Sequence, residues 1–130
     1  MIVLDTHIWF WWISREHARL SAGLLEALES EPLVGVSAVS CFEIALAARR
    51  GRVELPLPAR EWIEEALTPS GIELLPLSAA MSARAVSLPE HHRDPFDRMI
   101  IAAALELDAR LASVDSMFRQ YAELTGRLLA

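Results

Sequence analysis

The chain has no lysine; its twelve basic residues are all arginines. That absence excludes a phosphate loop built on Gly-Lys-Ser/Thr and a Schiff-base enzyme, since both need the lysine ammonium. Cysteine is almost missing as well. Cys41 stands alone, so neither an internal disulfide nor a multi-cysteine zinc site is available. The most apolar stretch, from Ile8 to Ile13, falls far short of the ~20 residues that span a bilayer. No basic segment precedes the N-terminal apolar residues, and Asp5 interrupts them, so a secretory signal is not expected. Internal repeats, low-complexity tracts and long linkers are also lacking. A single domain over residues 1–130, cytoplasmic and without membrane association, is the resulting expectation.

Hydrophobic residues make up 53% of the chain, enough for a core and incompatible with global disorder. They fall into short runs. Ile2-Val3-Leu4 ends at Asp5, Leu33 to Val36 at Ser37, Ile72 to Leu75 at Pro76 and Arg110 to Val114 at Asp115; Arg127 to Leu129 forms a weaker fifth run. Helix-length stretches alternate with them: Ser21–Ser30, Ala38–Arg50, Pro58–Leu67, Ser78–Ser87 and Pro95–Leu107, with a first helix expected around Trp9 to Trp12. This alternation predicts βαβ units and an α/β three-layer sandwich: a central parallel sheet of four to five strands flanked by helices. Runs without polar alternation fit strands covered on both faces.

The carboxylates divide into two populations. Most of the thirteen glutamates, such as Glu26, Glu61 and Glu64, lie on helices and read as solvated faces. The five aspartates mostly sit at element ends. Asp5 follows the first strand, Asp115 the fourth, and Asp94 and Asp97 open the helix at Pro95. In an open parallel sheet these ends face one crevice. Glu43, early in the helix after the second strand, reaches the same place. Two carboxylates ~5 Å apart repel by roughly 3 kcal/mol at an effective dielectric of ~20, so such a cluster shifts its pKa values or recruits a cation. Hard oxygen donors without converging cysteine or histidine suit Mg²⁺ or Mn²⁺ and hydrolysis of phosphodiesters. Capping is the competing role: Asp94 before Pro95 has the pattern of an N-cap, Asp97 of a capping box, and Asp115 and Asp5 of caps for the helices that follow them.

Leu4-Asp5-Thr6-His7, Ser40-Cys41-Phe42-Glu43-Ile44-Ala45, His92-Arg93-Asp94-Pro95-Phe96-Asp97-Arg98 and Ser113-Val114-Asp115 occur in an order and spacing that resembles PIN-domain proteins, in particular the VapC-type ribonuclease toxins of toxin–antitoxin pairs. The resemblance implies a Mg²⁺- or Mn²⁺-dependent endoribonuclease restrained by a cognate antitoxin, with a homodimer inside the toxin–antitoxin complex. By position it implies an acidic quartet of Asp5, Glu43, Asp97 and Asp115 as catalytic metal ligands. Thr6, Asp94, Ser113 and His92 are candidate supporting residues, and Arg93 and Arg98 candidate phosphate contacts. The rival is a non-catalytic PIN-like binding protein acting through a protein or RNA partner.

The net charge of −6 disfavours a broad polyanion-binding surface and suits an RNA held at one spot. Arg49 and Arg50 before Gly51 read equally as a helix C-terminus and as phosphate contacts. Trp9, Phe10, Trp11 and Trp12 are consecutive, and successive helical residues point about 100° apart, so they cannot share one core. Trp9, Trp11 and Trp12 are therefore a candidate partner surface.

Overall fold

The computed structural model describes all 130 residues, Met1–Ala130. The five apolar runs form one parallel sheet: β1 Ile2–Leu4, β2 Val34–Ser37, β3 Ile72–Leu75, β4 Arg110–Ala112 and β5 Leu128–Leu129, in the order β3-β2-β1-β4-β5. Ile2, Val3 and Leu4 pair with Val34, Gly35 and Val36 on one side and with Arg110, Leu111 and Ala112 on the other. Six helices cover the sheet: α1 Thr6–Ile13, α2 Ala22–Ser30, α3 Ala38–Arg49, α4 Ala59–Ala66, α5 Ala79–Ser87 and α6 Pro95–Glu106.

Side-chain alternation along the strands creates the two flanking layers. Ile2, Leu4, Val34 and Val36 point to one face, where Ile8, Trp9, Leu24, Leu28 and Trp62 complete a buried cluster. Val3 and Leu111 point to the other, against Ile100, Ile101, Ala104, Phe118 and Tyr121. Every residue of β1 and β2 is buried. The edge strand β3 departs from the expected coverage on both faces, since Glu73 and Leu74 are exposed there. The Leu75 side chain of β3 lies over Gly35 of β2, where an added Cβ would stand 2.6 Å from Leu75 Cδ1.

Trp9 corrects one expectation. It is fully buried, with its ring 5.4 Å from that of Trp62, and so does not belong to a partner surface. The α1 stripe that faces the sheet is set by Thr6, Ile8 and Trp9, leaving Phe10, Trp11, Trp12 and Ile13 half-buried around the helix. Trp9 Nε1 has no hydrogen-bond partner. Trp9→Phe should therefore change stability by less than about 1.5 kcal/mol, because lost area is offset by removing an unpaired donor, whereas Trp9→Ala should cost about 4 kcal/mol. Urea denaturation of the two variants measures the contrast.

Candidate active site

Because β1 pairs with β2 on one side and β4 on the other, the crevice of the sheet opens where these strands end. Asp5 leaves β1 there as the N-cap of α1, accepting the Thr6 N–H at 2.8 Å on Oδ1. Ser113, just past β4, donates to its Oδ2 at 2.8 Å. Both carboxylate oxygens are thus fixed while the residue is only 4% exposed. Ser37 ends β2 and caps α3, which carries Glu43 in its second turn. The Thr6 hydroxyl stands 2.7 Å from Glu43 Oε1 and 2.9 Å from Ser40 Oγ. Its single proton goes to the carboxylate, so Thr6 orients Glu43 from the neighbouring helix.

Asp94 caps α6 by accepting the Phe96 N–H at 2.9 Å, with Pro95 in the first helical turn, and Asp97 follows within that turn. Asp115 caps the 3-10 turn Ser116–Gln120 through Met117 N–H. Capping and clustering are not alternatives here, for Asp5, Glu43, Asp94, Asp97 and Asp115 also line a single cleft of about 270 Å³ with His7, Trp11 and Val114. Glu43, Asp94 and Asp97 each bring an oxygen within 4.8 Å of the others, and His92, Asp97 and Asp115 form a second such group.

Crowding acids in a half-closed cleft opposes their ionisation. Burial, reinforced by Asp5, Asp94, Glu43 and Asp115, pushes the Asp97 carboxyl from its usual 3.8 up to about 8. Glu43 is pushed up to about 7, chiefly by burial, against the pull of the Thr6 hydrogen bond. Burial also raises Asp5, opposed by its bonds from Ser113 and Thr6. The cleft thus lacks positive charge that its own side chains do not supply.

The arginines divide sharply. Arg98 is not a phosphate contact, because backbone carbonyls and a tyrosine occupy its guanidinium. Nε donates to Ala85 O at 3.0 Å; Nη1 to Pro89 O at 2.8 Å, His92 O at 3.1 Å and Tyr121 Oη at 3.4 Å; and Nη2 to Val86 O at 3.3 Å and Leu88 O at 2.6 Å. It closes the C-terminus of α5 and shapes the segment leading to Asp94. Arg98→Ala should cost about 2–3 kcal/mol in urea denaturation, and Arg98→Lys should recover little, since an ammonium cannot span carbonyls laid out for a planar fork. Arg93 is different. With Arg50 and Arg52 it lines a larger groove of about 990 Å³ that also takes in Thr6, Glu43 and Asp94, and none of the three makes an ion pair. Arg50 is the C-cap residue of α3, so the helix-end and groove positions coincide.

Ser40, Tyr121 and Phe42 also belong to the site, although the sequence assigned them no role in it. Ser40 is wholly buried beneath Thr6, and Tyr121, 1% exposed, holds the His92 N–H at 3.0 Å. Phe42, 56% exposed and paired with Phe96 at 5.3 Å, is the exposed aromatic beside the site, whereas Trp11 is half-buried with the Arg19 guanidinium 5.4 Å from its ring centre.

An acid-lined cleft at the carboxyl edge of a five-stranded parallel sheet defines an α/β protein built to gather carboxylates at one point. The PIN domain sequence model matches residues 2–124, and the chain belongs to the PIN domain family. It is 33% identical over 121 residues to Ribonuclease VapC22 of Mycobacterium tuberculosis, covering 92% of this chain and 91% of that protein. Its fold is that of VapBC2 from Rickettsia felis bound to a promoter DNA fragment (TM-score 0.73, 16% identity, 99% and 98% of the two chains). It is likewise that of DNA-bound VapBC from Salmonella typhimurium (TM-score 0.72, 15% identity, 98% and 96%) and of FitAcB from Neisseria gonorrhoeae (TM-score 0.63, 20% identity, 100% and 97%). No helix is long and apolar enough to cross a membrane.

Proposed function

We propose that this chain is a divalent-metal-dependent endoribonuclease of the toxin type, acting in the cytoplasm and restrained by a cognate antitoxin. The observation that carries the reading is the meeting of Asp5, Glu43, Asp94, Asp97 and Asp115 in one cleft, where Glu43 and Asp97 are driven to hold protons at neutral pH. The kinship with a ribonuclease at 33% identity supports the choice of RNA.

The donor set fits a hard cation: oxygens converge from several elements, and their mutual repulsion is relieved by a positive charge among them. Bound there, Mg²⁺ or Mn²⁺ would supply the charge that activates water and stabilises the leaving oxygen of a phosphodiester. Asp5, Glu43 and Asp97 would hold it, with Asp94 beside them. Ser113 and the Thr6 N–H keep Asp5 in place, and the Thr6 hydroxyl aims Glu43. Arg93, Arg50 and Arg52 give the RNA phosphates a place in the adjoining groove while Arg98 keeps the approach to α6 rigid. The half-buried Phe10, Trp11 and Trp12 and the exposed Phe42 offer apolar area to an antitoxin segment or a second copy, as befits a relative of chains found in toxin–antitoxin complexes.

A non-catalytic binding protein has no use for a carboxylate cluster that opposes its own ionisation. Asp5→Asn separates the readings. It keeps the cap and the Ser113 contact in outline but removes a charge, so induced expression without antitoxin should no longer arrest growth while the protein remains folded by circular dichroism. Undiminished arrest by folded Asp5→Asn would contradict the enzyme reading.

A further inference from the structure

On the far side of Asp97, three side chains have the outline of a second cation site. His92 Nε2 lies 2.9 Å from Asp97 Oδ2 and 3.1 Å from Asp115 Oδ2. The other ring nitrogen excludes coordination. Nδ1 accepts the Asp94 backbone N–H at 3.2 Å, and an imidazole nitrogen that accepts a hydrogen bond carries no proton. The proton therefore sits on Nε2, which has no lone pair left for a metal and donates its N–H to Asp115 Oδ2, with Asp97 Oδ2 close beside it.

Nor is the ring free to swing aside. The His92 N–H donates to Tyr121 Oη at 3.0 Å, its carbonyl accepts from Arg98 Nη1 at 3.1 Å, and its ring stands edge-on to Phe118 at 6.0 Å. Its side chain is only 15% exposed. An ion the size of Mg²⁺ needs its oxygens at ~2.1 Å. Bridging the same two oxygens, it would face the Nε2 proton at close range.

We propose that His92 is a positioning residue whose Nε2, bonded through its N–H to Asp115, fills the place beside Asp97 that a second cation would occupy, so the cleft binds a single divalent ion on the Glu43 side of Asp97. The proposal rests on the cation reading above and refines it. Asp115 becomes the acceptor of the His92 ring N–H rather than a ligand. The His92 ring stands against one oxygen of Asp97, leaving the other for the ion.

Equilibrium binding of Mn²⁺ to the full chain, read from the electron paramagnetic resonance signal of the free ion, tests this. The wild type should bind one ion per chain, Asp115→Ala should bind one with affinity changed less than about threefold, and His92→Ala should bind two. Two ions in the wild type, a single ion in folded His92→Ala, or a tenfold loss of affinity in Asp115→Ala would overturn the proposal. If His92→Ala fails to fold by circular dichroism, the other two measurements still decide. No binding to folded wild type would instead contradict the cation reading beneath it, and the proposal with it.

Discussion

Replacing Asp97 by asparagine is expected to raise the melting temperature of the cation-free protein at pH 8.5 and, in the same variant, to reduce RNA cleavage by roughly 10³-fold or more. The opposite signs follow from one cause. Burial first, then Asp5, Asp94, Glu43 and Asp115, push the Asp97 carboxyl up to about 8, so at pH 8.5 the native state carries an ionised group its surroundings oppose. Asparagine has nearly the same shape and no charge. After discounting for solvent at the cleft mouth, the relief is roughly 2 kcal/mol, or roughly 4–8 °C in a domain of this size. At about pH 3.5 the carboxyl is largely protonated in the unfolded chain as well as in the fold, so the difference should shrink toward zero. Thermal melts of wild type and variant at both pH values make the comparison. Destabilisation of Asp97→Asn at pH 8.5 would mean that the carboxylate is stabilised in the fold, contrary to this account.

The cation-free wild type should lose stability steadily between about pH 4 and pH 8, and its affinity for Mn²⁺ should climb over the upper part of the same range. Asp97 and Glu43 titrate near 3.8 and 4.5 when unfolded but at about 8 and about 7 in the fold. Within that window the native state binds more protons than the unfolded chain, so stability falls as pH rises. Their contribution is fully present below the unfolded values and is lost through the folded ones. A cation has to displace the same protons, so affinity should rise by up to about tenfold per pH unit for each proton released and level off above pH 8. Calorimetry at pH 6 in two buffers of different ionisation enthalpy should show about two protons released per ion, falling toward zero near pH 9. Affinity that is flat from pH 6 to 9 would contradict the assignment of these two carboxyls to the ion.

Four of the strands were legible because the apolar run stops at a residue that ends it physically: Asp5, Ser37, Pro76 and Asp115. The acids were legible for the same reason, since parallel strands deliver their carboxyl ends to one edge. Other features have no local signature. Arg98 sits inside the acidic motif, and only the fold reveals that α5 and its following loop turn five carbonyls toward it. Four consecutive aromatics at a helical start do not tell which one meets the sheet; the packing of Trp9 against Trp62, far along the chain, decides it. The bonds that fix His92 join it to Tyr121 and Asp115, and no spacing rule links those positions.

The central claim is that these carboxylates cleave RNA with the help of a divalent cation. Purified, antitoxin-free protein incubated with total cellular RNA in Mg²⁺, Mn²⁺ or EDTA tests it directly, with Asp97→Asn prepared identically as the contamination control. Discrete products with either ion, lost in EDTA and absent with Asp97→Asn, are predicted. Products that persist in EDTA, equal products from both proteins, or no cleavage by a folded protein shown to bind Mn²⁺ would contradict it.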